Sequence, residues 1–125
     1  MQTKVEYIGN IVFISFGSKL DKGALVGDVE MDADNSAILE TLLEKELENG
    51  KVNIILDLHN IAYIYSYGLS IIFYAYKDLV DKGGMLKILS PSISLQEIFR
   101  LLKMSTFFEI FLDKQEAIDS FSKKK

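Results

Sequence analysis

The stretch VNIILDL at 52–58 does most to narrow what this chain can fold into. It is a nearly continuous run of branched apolar residues, without the polar alternation of a strand that has one wet face. Such a run fits a strand covered on both faces, as in a parallel sheet packed by helices. Residues 4–8 and 11–16 are rich in strand formers and are joined by Gly9-Asn10, two residues that tolerate positive φ, which predicts a tight hairpin. Residues 85–90, MLKILS, read as a further strand closed by Pro91, and 107–112, FFEIFL, as a last one.

Helical periodicity fills the gaps. Ile38, Leu39, Leu42, Leu43 and Leu47 form one apolar stripe, with Asn35 or Ser36 as its cap and Gly50 at its end. A second helix is expected over 67–81, closed by Gly83-Gly84. Its core face is expected from Leu69, Ile72, Phe73, Tyr76 and Val80. Tyr67, Ile71 and Tyr74 fall on another side, to pack a neighbouring helix or to meet a partner through aromatic anchors. Residues 95–103 form a third helix with a Ser94/Glu97 capping box and core residues Leu95, Ile98, Phe99 and Leu102. A fourth covers 114–122 through Ala117, Ile118 and Phe121, and 123–125 read as a frayed tail. Alternating strands and helices imply a mixed, mostly parallel sheet of four or five strands reached by right-handed crossovers. The first strand pair is expected at an edge and about four helices mainly on one side.

At 125 residues the chain reads as one domain over 1–125. The absence of Cys removes disulfides, thiolate metal sites and a Cys nucleophile, and one histidine, His59, removes any site needing two imidazoles. A net charge of −4 disfavours nucleic acid as a partner. No apolar run is long enough to span a membrane, and the N-terminus lacks the pattern of a signal peptide, so a cytoplasmic location is expected. There is no Walker loop or dinucleotide fingerprint, and no cofactor is expected.

Three places could carry chemistry. Ser66 stands where the cap of the second helix belongs, after a short loop that follows Leu58. Asp57, ending a buried strand, could serve as the phosphoacceptor of a receiver-like domain, but the first strands do not end in the acidic pair such a site needs. The segment KGALVGDVEMDADN at 22–35 alternates Leu25, Val29, Met31 and Ala33 with Asp28, Glu30, Asp32 and Asp34, the pattern of a half-buried or edge strand with a solvated acidic face. A calcium loop counted from Asp28 fails, because Ala33 and Leu39 stand where Gly and Glu are required.

The run from 52 to 84 resembles the STAS domain of bacterial anti-sigma factor antagonists. That family has a buried strand ending in Asp-Leu, a loop, the motif Asp-Ser-Ser/Thr-Gly-Leu, a helix and Gly-Gly. Here these are Asp57-Leu58, Tyr65-Ser66-Tyr67-Gly68-Leu69 and Gly83-Gly84. Leu20-Asp21, Ser90-Pro91 and Glu97-Ile98-Phe99-Arg100 extend the likeness over 4–21 and 51–121. Tyr65 stands in place of the motif Asp, and Tyr67 in place of the second Ser or Thr. The resemblance implies a non-enzymatic module that binds a partner-switching GHKL-type serine kinase/anti-sigma factor, with a PP2C-type phosphatase opposing the kinase. It implies phosphorylation at Ser66 and partner contacts at Asp21, Ser66, Tyr67 and Gly68. A degenerate scaffold that binds constitutively, without phosphorylation, is the alternative.

Overall fold

The computed structural model describes residues 1–89 and 91–122. Ser90, expected to end a strand, and the expected tail at 123–125 lie outside them. A five-stranded sheet is built from β1 (Gln2–Ile8), β2 (Ile11–Gly17), β6 (Asn53–Asp57), β8 (Met85–Leu89) and β9 (Ile110–Phe111), in the order β1-β2-β6-β8-β9. β1 is an antiparallel edge strand and every other pairing is parallel. The apolar run at 52–58 thus supplies the central strand. Its side chains leave in both directions: Ile54 and Leu56 join the larger core, while Ile55 joins the smaller one beneath the opposite face.

Three helices cover the first face: α1 (Ala33–Glu48), α2 (Ser66–Asp81) and α3 (Ile93–Leu101). Leu39 and Leu43, Ile72 and Leu79, and Leu95 and Phe99 are their buried contributions. The other face carries α4 (Lys114–Ser120), through Ala117, against Ile11, Phe13 and Ile55. Lys87 of β8 is 5% exposed there. Its Nζ donates to Ser120 Oγ at 2.7 Å, lies 3.3 Å from Glu109 Oε1 and sits over the Phe121 ring.

Several boundaries differ from the sequence-based expectation. α1 starts earlier because Asp32 caps it, accepting from Asn35 N at 3.0 Å. α3 likewise starts early, capped by Ser92 rather than Ser94, and Leu102 is exposed instead of joining the core. Glu97 pairs with Arg100. The buried stripe of α2 is rotated: Gly68, Ile71, Ile72 and Leu79 face inward and Val80 is exposed. Gly83 ends α2 with φ +85°, where Gly83 N reaches Val80 O and Gly84 N reaches Leu79 O, closing a Schellman cap. Only Ile110–Phe111 of the expected strand at 107–112 is extended, after a 3₁₀ turn at Met104–Thr106. The preceding rings are drawn elsewhere, Phe107 against Phe73 and Phe108 against Tyr76 of α2.

The segment at 22–35 and the loop after Leu58 also organise further than expected. β3 (Lys19–Asp21) and β4 (Ala24–Val26) form a small hairpin. β5 (Val29–Met31) pairs in parallel with β7 (Ile61–Ile64), so what reads locally as a loop contains a strand. Val29 and Met31 are buried and Glu30 is exposed between them, the half-buried alternation seen in the sequence.

Candidate functional site

α2 opens directly from β7. Tyr65, extended at φ −82° and ψ 170°, occupies the cap position, and no side chain caps the helix. Ser66 is therefore the first helical residue and not the cap its position suggests. The register is set by packing. Tyr65 N donates to Met31 O at 3.1 Å, and Gly68 fills a slot with no room for a side chain. A Cβ on Gly68 would lie 2.8 Å from Ser36 Oγ, 2.9 Å from Ile64 Cγ2 and 3.0 Å from Met31 Cγ. Glycine is thus required by close approach of α1, β5 and β7. Gly68 is buried while Ser66 and Tyr67 beside it are exposed, so any surface here is made by those two side chains.

The two tyrosines flanking Ser66 are each held by a carboxylate from elsewhere in the chain. Tyr65 Oη donates to Glu30 Oε1 of β5 at 2.8 Å, with the Tyr63 ring edge-on to Tyr65 at 4.9 Å. Tyr67 Oη donates to Glu40 Oε1 of α1 at 2.8 Å. Both phenols are held above the ordinary tyrosine value. For Tyr65 the cause is first the hydrogen bond to Glu30 and then that residue's charge. For Tyr67 it is the hydrogen bond to Glu40, then desolvation and the charges of Glu40 and Glu44. Both remain donors at neutral pH, so each tyrosine flanking Ser66 ends at a glutamate from another element.

Asp21 is exposed at the tip of the β3–β4 hairpin, where Lys22 and Gly23 turn the chain with positive φ. That hairpin leaves the end of β2, and the chain toward α2 leaves the end of β6. These ends run side by side, with Ser15 opposite Asp57. Asn60 stitches the two exits together, its amide donating to Phe16 O at 2.9 Å and Leu25 O at 3.1 Å, while Asn60 O accepts from Val29 N. Ser66, Tyr67 and Gly68 are thus contiguous, and Asp21 belongs to a separate hairpin rooted at the same end of the sheet.

Asp57 is occupied locally: its Oδ1 accepts from His59 N at 3.2 Å and lies 3.0 Å from His59 Nδ1. Its parallel neighbour on β2 is Ser15, not an acid. The residues that sequence reasoning missed are Glu30, Glu40 and Asn60. The two acids lie 35 and 27 residues from their tyrosines, beyond any local motif. An Asn in a turn was the sole signal for Asn60.

The STAS domain family profile matches residues 25–117. No curated protein matches the sequence significantly. Among solved structures, a Thermotoga maritima protein provisionally assigned as an anti-sigma factor antagonist is 17% identical, with TM-score 0.81 over 96% of this chain and 94% of that one. An anti-sigma factor antagonist from Mycobacterium paratuberculosis is 17% identical, with TM-score 0.78 over 98% and 94%. The Bacillus cell fate determinant SpoIIAA in its phosphorylated form is 16% identical, with TM-score 0.71 over 96% and 99%. At these identities the structural likeness speaks for the fold. The profile match runs from the β3–β4 hairpin to α4, across both Ser66 and its supporting elements, and on it the chain belongs to the STAS domain family.

Proposed function

We propose that the chain is a signalling module of the anti-sigma factor antagonist kind. It binds a GHKL-type serine kinase/anti-sigma factor through the start of α2, with Asp21 contributing from the neighbouring hairpin. Ser66 is the phosphoacceptor, and a PP2C-type phosphatase reverses the modification. The observation that carries this reading is Ser66 itself, exposed in the uncapped first turn of α2 at the position of the motif serine. The kinase would transfer the γ-phosphoryl group of ATP to Ser66 Oγ, releasing ADP and the hydroxyl proton. The product carries roughly −1.5 to −2 charges. First-turn N–H groups and the helix dipole tolerate that charge, so the fold persists while the surface changes sign. Glu30 and Glu40 already make the surroundings acidic, so the partner surface that fits the unmodified helix end is basic.

The same two acids favour the second reading, constitutive binding without phosphorylation, because a phosphate dianion on Ser66 would add like charge beside two tyrosines that each already hold a glutamate. Incubation with the kinase and ATP, followed by mass spectrometry, separates the two. Phosphate on Ser66 supports switching, no phosphate supports the constitutive scaffold, and phosphate on Asp57, Tyr65 or Ser70 overturns the assignment. Calorimetric titration then tests the surface. Ser66→Asp and Tyr67→Ala should each weaken binding by roughly tenfold or more, as removal of an interface anchor does. If both variants melt like the parent and bind unchanged, the contact surface lies elsewhere.

A further inference from the structure

We infer that the cleft between α1 and α2 is a binding site for a small organic cation carrying a single ring or short alkyl chain. The cleft has a volume of about 240 Å³ and reaches down between the helices to Ile54 of the central strand. Ser70 and Ala75, two small residues of α2, are part of its lining. Its lower walls are apolar, from Leu43 and Leu47 on one side and Ile71 and Leu79 on the other.

The mouth decides the charge of the occupant. Glu40, Glu44 and Asp78 stand around it, and the described lining includes no Lys, Arg or His. An anion would be repelled, and a neutral apolar ligand would cover carboxylates without pairing them. An ammonium head satisfies them and leaves its apolar body for the floor. Tyr67 and Tyr74 also line the cleft, and aromatic rings attract organic cations. Size excludes a helical peptide as the occupant. A helix is about 10–12 Å across with its side chains and would have to force α1 and α2 apart. A preformed, mostly apolar hollow with a few convergent polar groups is the form small-molecule sites take.

The Tyr67–Glu40 hydrogen bond uses Glu40 Oε1 at this mouth, and an ammonium that pairs with that oxygen displaces the Tyr67 hydroxyl. Tyr67 neighbours Ser66, and occupancy would therefore be felt at the start of α2. That last consequence rests on the partner-binding reading, whereas binding in the cleft is measured without any partner.

The test is an NMR titration of the isotope-labelled full chain at neutral pH with phenethylamine, and with phenethyl alcohol and phenylacetate as its neutral and anionic counterparts. The amine should give saturable shifts confined to the facing sides of α1 and α2. It should bind about tenfold more tightly than the alcohol, the gain expected when a neutral contact becomes charge-assisted. Phenylacetate should not saturate. Glu44→Gln should weaken the amine and leave the alcohol unchanged. Ala75→Leu, checked for folding by circular dichroism, should abolish both by filling the floor. Tyr67→Phe, which frees Glu40, should tighten the amine. Equal affinity for amine and alcohol, shifts mapping outside the cleft, or no saturation by the amine would overturn the site. An unchanged amine affinity in Tyr67→Phe would overturn the displacement of the hydroxyl.

Discussion

Gly68→Ala probes the packing that sets the position of the candidate site. The added Cβ would meet Ser36 Oγ at 2.8 Å, Ile64 Cγ2 at 2.9 Å and Met31 Cγ at 3.0 Å. Unstrained carbon contacts lie at about 3.5–4.0 Å, so the slot is short by roughly half an ångström or more on three sides at once. Overpacking of this kind costs about 1–3 kcal/mol. Against it, alanine gains about 1 kcal/mol over glycine inside a helix, and less in the first turn. The contacts come from three different elements, which cannot all retreat together, so the packing term wins. The expected net loss is about 1–2 kcal/mol. For a domain of this size each kcal/mol lowers Tm by roughly 3–6 °C. Urea denaturation followed by circular dichroism measures it, and a Ser36→Ala background identifies the cause. Ser36 Oγ is the nearest obstacle and its own bond to Met31 O is long, at 3.4 Å. Its removal should therefore recover about 0.5–1 kcal/mol of the Gly68→Ala loss. A Gly68→Ala variant as stable as the parent, or a loss identical in both backgrounds, would refute the close-packing argument.

Tyr7→Phe removes the donor that meets both oxygens of Glu46, at 2.7 and 3.0 Å, and Glu46 is 2% exposed. The urea midpoint should fall without a change in m, because a buried carboxylate loses its partner. Lys87→Ala should cost about 1–3 kcal/mol and speed amide exchange in α4, whereas Lys87→Met, which keeps the stem, should cost less. In alkaline titration by ultraviolet absorbance, Tyr65 and Tyr67 should ionise above the ordinary tyrosine value of 10.0. Their pKa is raised in the folded state, so the stabilisation is present at neutral pH and lost as pH rises through the folded value. Glu40→Gln should bring Tyr67 back down. Asn60→Ala leaves Phe16 O and Leu25 O without their donor, and should speed amide exchange in the β3–β4 hairpin ahead of the core strands.

Features with a local cause were legible in the sequence. The central strand could be read from VNIILDL because burial on both faces removes polar alternation from the chain itself. Helix ends marked by Gly50 and Gly83 could be read because a positive φ is a property of the residue. Helix starts were harder. Asp32, Asp34, Asn35 and Ser36 are all competent caps within five positions, and contacts elsewhere decide among them. β7 escaped for the same reason. It has four residues and owes its extended form to β5, about thirty residues away, whose own half-buried alternation was legible. The aromatic run at 107–108 fits a strand by composition, but its rings belong to α2 through tertiary packing.

The candidate site shows how residue-by-residue comparison with a motif can misjudge chemistry. Read singly, Tyr65 and Tyr67 are losses, one of an acid and one of a small aliphatic hydroxyl. In three dimensions each tyrosine reaches a carboxylate, Glu30 or Glu40, so an acid stands at the end of each side chain flanking Ser66, supplied from β5 and α1. The segment from β3 to β5 thereby gains a role that its acidic alternation could not specify. Asp32 caps α1, Glu30 holds Tyr65, and Val29 and Met31 bury the ribbon that delivers α2 to the surface. An acid held through a tyrosine differs from an acid in the motif itself. It sits one side chain further from Ser66 and is anchored to a different element. It also depends on the phenol remaining protonated. Glu30→Gln should therefore alter the surface beside Ser66 without touching the motif. If partner affinity and Tyr65 ionisation are both unchanged in that variant, the tyrosine does not stand in for the missing aspartate.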